Sequence, residues 1–190
     1  MNPQPGLLLI VSVLVASRLP TQVVVPASLA AVKGIDPVFS PFDFHEKYRY
    51  QAIVTQLTGS VGVFVQLSFR QGADRGTCKS HVSTASLTVG EARYAARTNV
   101  FASNFVQQPF VAMAARPLNL PDYRLPPSGC YPGPFNVALP FDRAWVYSGV
   151  NDLCFDIQVA HSDPSVGNYA LDSYYMQVLV EGAMLSYGSG

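Results

Sequence analysis

The chain has 190 residues, with Lys+Arg 12 against Asp+Glu 12, 13% charged and 49% hydrophobic, which suits one well-filled core and excludes intrinsic disorder. A zero formal net charge, with basic residues scattered singly, excludes an electrostatic nucleic-acid binder, which needs a basic stripe. Gly 14 and Pro 15 supply dense turn punctuation and favour many short strands over long helices.

The first element is an apolar block. Leu7, Leu8, Leu9, Ile10 and Val11, followed by Val13, Leu14, Val15 and Ala16, have the length of a signal-peptide core and fall short of a bilayer span of about 20 residues. Arg18 and Pro20 interrupt the block, and Ser28-Leu29-Ala30 offers a small-x-small cleavage site before Ala31. A cut after Ala16 or Ser17 is the alternative. No Lys or Arg precedes the block, so a buried N-terminal strand or an uncleaved anchor competes with the export reading. Export divides the chain into a signal peptide, 1–30, and a single domain, 31–190, which is secreted or extracytoplasmic and has no membrane span in the mature chain.

Downstream, period 2 dominates period 3.6. Val61, Val63, Val65, Leu67 and Phe69 alternate with Gly62, Phe64, Gln66 and Ser68, and read as a strand with one face in the core. Leu153, Phe155, Ile157 and Val159 alternate with Cys154, Asp156, Gln158 and Ala160. Tyr174, Met176, Val178 and Val180 alternate with Tyr175, Gln177, Leu179 and Glu181. Further strands are expected at 50–56, 81–89, 110–115, 135–139 and 144–147. Short strands at this spacing predict an all-β fold, an antiparallel, jelly-roll-like β-sandwich. One helical turn is expected at 90–97, where Glu91, Ala92, Ala95 and Ala96 are good helix formers. Residues 116–134 hold Pro117, Pro121, Pro126, Pro127, Pro132 and Pro134, and read as an extended surface loop because proline cannot donate to a ladder.

Three cysteines, Cys78, Cys130 and Cys154, lie beyond the leader. An exported chain tends to pair two and leave one over, and the sequence does not choose among the three pairs. No Cys-x-x-Cys or His-x-x-x-His spacing supports zinc.

Chemistry is thinly represented. His161-Ser162-Asp163 has the letters of a triad, but chain neighbours cannot orient one another as a triad requires, and the segment reads as a polar turn before Pro164. No nucleophile elbow, zincin helix or phosphate loop is present. Asp142, Asp152, Asp156, Asp163 and Asp172 admit a carboxylate pair for glycoside hydrolysis. Against that, Asp142, Asp152 and Asp163 lie at turns, and Asp156 lies on the polar face of its strand, where it can simply meet water. A metal site is conceivable at Asp163, Asn168 and Asp172, where loop carboxylates and an amide suit calcium, the one cofactor the pattern admits. Of the late aromatics Trp145, Tyr147, Tyr169, Tyr174 and Tyr175, the ligand-binding candidates are Trp145, Tyr174 and Tyr175, whose rings could stack on sugars or partner surfaces. Trp145 and Tyr147 share a strand face, so at least one of them belongs to the core.

The run Pro134-Phe135-Asn136-Val137-Ala138-Leu139-Pro140-Phe141, followed by Trp145-Val146-Tyr147 and Leu153-Cys154-Phe155-Asp156-Ile157, resembles uncharacterised exported bacterial β-sandwich proteins of planctomycete type and their PEP-CTERM-like relatives with C-terminal sorting anchors. Arg49-Tyr50-Gln51, Phe101-Ala102-Ser103-Asn104 and Asn168-Tyr169-Ala170-Leu171-Asp172 extend the likeness over most of 48–172. The resemblance implies a secreted sandwich with no assigned reaction and no catalytic residues. The ending Tyr187-Gly188-Ser189-Gly190 departs from the anchored members and favours free secretion. The resulting expectation is a secreted, non-enzymatic structural or interaction module, partnered by a polysaccharide or a cell-surface protein and not by nucleic acid. A carbohydrate-binding module, with or without calcium, is the first alternative, and a glycoside-active enzyme with paired Asp residues is the second.

Overall fold

The structure is a computed structural model that describes residues 48–70, 79–122 and 134–161 continuously, together with the strand segments 6–7, 9–13, 21–25, 36–38, 171–174 and 183–185 and a few single positions. In chain order its strands are β1 (Gly6–Leu7), β2 (Leu9–Val13), β3 (Thr21–Val25), β4 (Asp36–Val38), β5 (Tyr48–Val54), β6 (Gly62–Phe69), β7 (His81–Ala92), β8 (Phe110–Leu120), β9 (Val137–Tyr147), β10 (Asp152–His161), β11 (Leu171–Tyr174) and β12 (Ala183–Leu185). They build a five-stranded sheet ordered β12-β5-β10-β7-β8, a four-stranded sheet ordered β3-β2-β6-β9, and a small three-stranded sheet ordered β1-β11-β4. Every ladder is antiparallel, and no α-helix occurs among the described residues. This is the all-β, sandwich-like architecture that the period-2 pattern predicts.

The two larger sheets meet through one core. Leu153, Phe155, Ile157 and Val159 of β10 and Ala85, Leu87 and Val89 of β7 face Phe64, Leu67 and Phe69 of β6 and Val137, Leu139 and Tyr147 of β9. Each large apolar side chain buried here contributes about 1.5–3 kcal/mol relative to exposure. Phe155 holds the centre, with ring centroids 6.2 Å from Phe69 and 6.0 Å from Tyr50.

Alternation breaks down in the first half of β6. Val61, Val63 and Val65 belong to the same alternating set as Leu67 and Phe69, yet Val61 is 75% exposed while Phe64 is buried. The ladder with β9 shifts at this point, Phe64 standing opposite Trp145 and Gln66 opposite Pro140. A bulge changes which parity faces the core, so the inward set passes from Phe64 to Leu67 across an odd spacing.

Prolines mark less than expected. β8 runs through Pro117 to Leu120, so 116–120 belong to a strand and not to the proline-rich loop, of which 123–133 lie outside the described residues. Pro117 is tolerated because β8 is an edge strand of its sheet. Pro140 likewise does not end a strand; β9 continues through it to Tyr147.

The helical turn expected at 90–97 reduces to a 3₁₀ turn at Tyr94–Ala96, because Gly90, Glu91 and Ala92 complete β7. Of the late strand expected at 174–180, β11 reaches only Tyr174, and 175–180 lie outside the described residues. Within the N-terminal apolar block, Leu9–Val13 lie in a sheet, β2 pairing with β3 and with β6, Val11 opposite Leu67 and Val13 opposite Phe64.

Candidate functional site

The densest polar arrangement lies on the outer face of the five-stranded sheet. Residues 93–109 cross that face as a strap containing the 3₁₀ turns Tyr94–Ala96 and Phe101–Asn104. A bridge from Ala92 to Phe105 and a bond from Val106 N–H to Glu91 O, 2.8 Å, tie the strap back to β7. Gly90 makes room for it, since a Cβ there would stand 2.7 Å from the Phe105 ring. Ile53, Ala92 and Cys154 fill the apolar half of the space beneath, with Tyr94 and Phe105 packed over them.

The other half is polar. Asp156, 2% exposed, stands opposite Gln51 in the ladder with β5. Arg49 Nε donates to both Asp156 carboxylate oxygens at 3.1 Å, and Arg49 Nη2 donates to Oδ2 at 2.6 Å. Gln51 Nε2 donates to Phe101 O at 3.1 Å and to Asp156 Oδ2 at 3.3 Å, while Asn104 Nδ2 donates to Gln51 Oε1 at 2.7 Å. The Arg49 guanidinium lies 4.6 Å above the Phe101 ring. Asp156 therefore does not meet water, as its place on a polar strand face suggests; the strap covers it, and the arginine compensates its charge.

A second network joins the ends of β7 and β9. Glu91 accepts from Ser148 N–H at 3.1 Å, from Ser148 Oγ, and from Asn151 Nδ2 at 2.9 Å. Burial pushes its carboxyl up, but the Asn151 and Ser148 bonds outweigh burial and hold it below the ordinary carboxylate value. Tyr147 OH donates to Asn151 O at 2.6 Å. Burial, joined by the charges of Glu91 and Asp152, pushes the Tyr147 phenol up to about 12. Asp152 accepts from Thr58 Oγ1 at 2.7 Å and from Tyr94 N–H at 2.8 Å.

Asp142 belongs to a third place. It accepts from Ala114 N–H at 2.7 Å and from Arg116 Nη1, and Arg116 Nη2 donates to Pro140 O at 2.6 Å. The backbone bond from Ala114, with Arg116 beside it, holds the Asp142 carboxyl below its ordinary value. Asp142 and Asp156, two of the five carboxylates of the hydrolytic alternative, thus have separate partners on strands of different sheets.

Trp145 is half-buried and packs against the core, its ring stacked on Phe64 at 5.8 Å and 25° and lying 5.7 Å from Tyr147. Tyr147 is fully buried, so the core member required on that strand face is present. Beside Trp145 is an apolar cavity lined by Phe64, Leu67, Val89, Phe141, Leu153 and Phe155; at about 10 Å³ it is the size of one water molecule and cannot hold a sugar ring. Tyr174 and Asp172 lie in β11, Tyr174 opposite Gly6 and Asp172 opposite Pro37. Tyr175, Asp163 and Asn168 lie outside the described residues, and among the described residues no cluster of His, Cys, Asp and Glu could hold a metal. Cys154 is a free, buried thiol, which removes the two pairings that include it; Cys78 and Cys130 lie outside the described residues.

Sequence reading names Arg49, Gln51 and Asn104 only within short motifs of the resemblance and Glu91 only as a helix former, and gives none of these network residues a role in a site. One signal was available: a glycine inside a strand pattern marks a close approach of another segment, and Gly90 does this for Phe105. No family model, no curated protein and no solved structure matches this chain.

Proposed function

We propose that the chain is an exported, non-enzymatic β-sandwich that serves as a structural or interaction module and meets its partner through an apolar surface at one end of the sandwich. The observation that carries this reading is a grouping of exposed valines. Val61 and Val150 are each 75% exposed and Val146 is 66% exposed. The bond from Gly59 N–H to Gly149 O, 2.8 Å, holds the turns beside Val61 and Val150 together, and Val146 stands opposite Val63 on the adjoining strands. Clustered exposed apolar side chains mark contact surfaces more than singly scattered ones do. The acceptor atoms of Glu91, Asp142, Asp152 and Asp156 support the same reading, because they are engaged in bracing turns, the strap and the contact of β9 with β8.

The test places a photo-crosslinking residue at Val150 in the exported protein. A discrete protein adduct that disappears with Val61→Asp plus Val146→Asp, both folded by circular dichroism, is the expected result. Retention on an insoluble polysaccharide, lost with Trp145→Ala or on chelating calcium, would move the carbohydrate-binding reading to first place. Turnover of a chromogenic glycoside by pure protein would overturn the non-enzymatic part.

A further inference from the structure

We propose that, once residues 1–30 are removed on export, the edge of β6 accepts an extended apolar–polar–apolar strand from a partner protein, in the place that the chain's own β2 holds before processing. The inference rests on the export reading above. Sheet order carries it first: in β3-β2-β6-β9 the leader strands β2 and β3 lie on one side of β6, so a cut after Ala30 removes half of this sheet and leaves β6 paired with β9 alone. The vacated edge has a defined register, Phe64, Gln66, Leu67 and Ser68 standing opposite Val13, Ser12, Val11 and Ile10. Its backbone N–H and C=O groups lose their partners, and an open edge of this kind is a template for another strand.

Burial supplies the second argument. Phe64, Leu67 and Phe69 are at most 2% exposed, and Val23 of β3 packs against the same core. Loss of the β2–β3 hairpin therefore opens an edge directly beside the core, where an incoming strand gains apolar contacts as well as ladder bonds. The register defines the ligand. It needs apolar residues opposite Phe64 and Leu67 and a small polar one opposite Gln66, as Val11-Ser12-Val13 provides. The junction is accessible, since Ala27, Ala30 and Ala31 are exposed, and it lies five residues past Val25, the last residue of β3.

The experiment starts from the folded full chain carrying a specific protease sequence at residues 26–31. The chain is cut after folding and mixed with a labelled peptide of residues 7–26. The expected result is that the labelled peptide exchanges into the cut protein at one per molecule, and that amides of 62–69 exchange about tenfold faster when the hairpin is washed out and slow again when the peptide is added. The Val11→Pro peptide, which lacks a ladder donor, does not bind. Failure of the wild-type peptide to bind, or unchanged amide exchange after the hairpin leaves, overturns the acceptor edge. N-terminal mass of the exported protein is read separately. A start at Ala31 keeps the proposal, whereas a mature protein retaining 9–25 overturns it through the leader reading alone, whatever the peptide does.

Discussion

Glu91 and Tyr147 tie the stability of the fold to pH from opposite sides. The Glu91 carboxyl titrates below its ordinary value of 4.5 in the folded chain, because the donors from Asn151 and Ser148 outweigh its burial. A depressed folded value means that its stabilisation is complete above about pH 4.5 and is lost as pH falls through the folded value. Urea midpoints of the wild type should therefore fall more steeply below pH 4.5 than those of Glu91→Gln, and the two curves should converge in acid. At neutral pH the variant should cost about 1–2 kcal/mol, the scale of weakened hydrogen bonds to a charged acceptor.

Tyr147 has the reverse sign. Its folded value, pushed up to about 12 by burial and then by the Glu91 and Asp152 charges, stands above the unfolded value of 10.0. Its contribution is complete below pH 10 and is lost as pH rises through the folded value. Alkaline unfolding should be shallower between about pH 10 and 12 in Tyr147→Phe, and a 295 nm titration should lose a tyrosine that titrates near 12.

At the scale of elements, turns and bulges decide what the strands present. Gly59 and Gly149 both have positive φ, +88° and +73°, but their surroundings differ. A Cβ at Gly59 meets nothing within 4 Å, whereas at Gly149 it would stand 2.6 Å from Ser60 O, a backbone atom that cannot swing aside. Gly59→Ala should cost about 1–2 kcal/mol, the penalty of a left-handed L-residue, and Gly149→Ala clearly more than that. Denaturant melts of the two variants compare them directly, and equal losses would contradict the close approach of the two turns. The bulge between Phe64 and Gln66 acts at the same scale. It puts Phe64 into the core, so Val61 and Val63 leave the inward set and Val61 joins the exposed group. Gly90 shows how one element shapes another: with no side chain on the strand, the strap lies flat enough to cover Asp156, Gln51 and Cys154.

For the molecule as a whole, the two larger sheets are joined along one seam by side chains and not by a ladder. Arg116 of the edge strand β8 pairs with Asp142 of the edge strand β9 and also donates to Pro140 O, while Asp142 takes Ala114 N–H. This seam holds the rims of the sandwich together where the strands no longer pair. The pair is partly exposed, with side-chain exposures of 37% and 37%, so salt should screen it. Asp142→Asn should lower Tm slightly, and the wild type's advantage should shrink in about 1 M NaCl. A Tm difference that ignores salt would mean that the backbone bond from Ala114, and not the ion pair, carries the seam.

Much of this architecture was legible in the chain. Leu153, Phe155, Ile157 and Val159 alternate without interruption because β10 is a central strand in unbroken register with both neighbours from Leu153 to Val159 and has one face in the core, and periodicity reports that geometry locally. The all-β class followed from the same signal, as did the buried partner of Trp145 on its strand face. Alternation thus specified the strands, their class and most of the inward faces, all properties of residues two apart. Tertiary structure alone decided the rest. A bulge depends on the partner strand, so the exposure of Val61 could not be read from β6. Pro117 is compatible with a strand only because β8 lies at an edge, and edges are defined by sheet order. Asp156 reads as a solvent-facing residue until the strap, which begins at the end of another strand, brings Asn104 and Phe101 over it and Arg49 arrives from β5. The cost of burying a charge is settled by groups far away in the chain, and a sequence shows such groups only after it has folded.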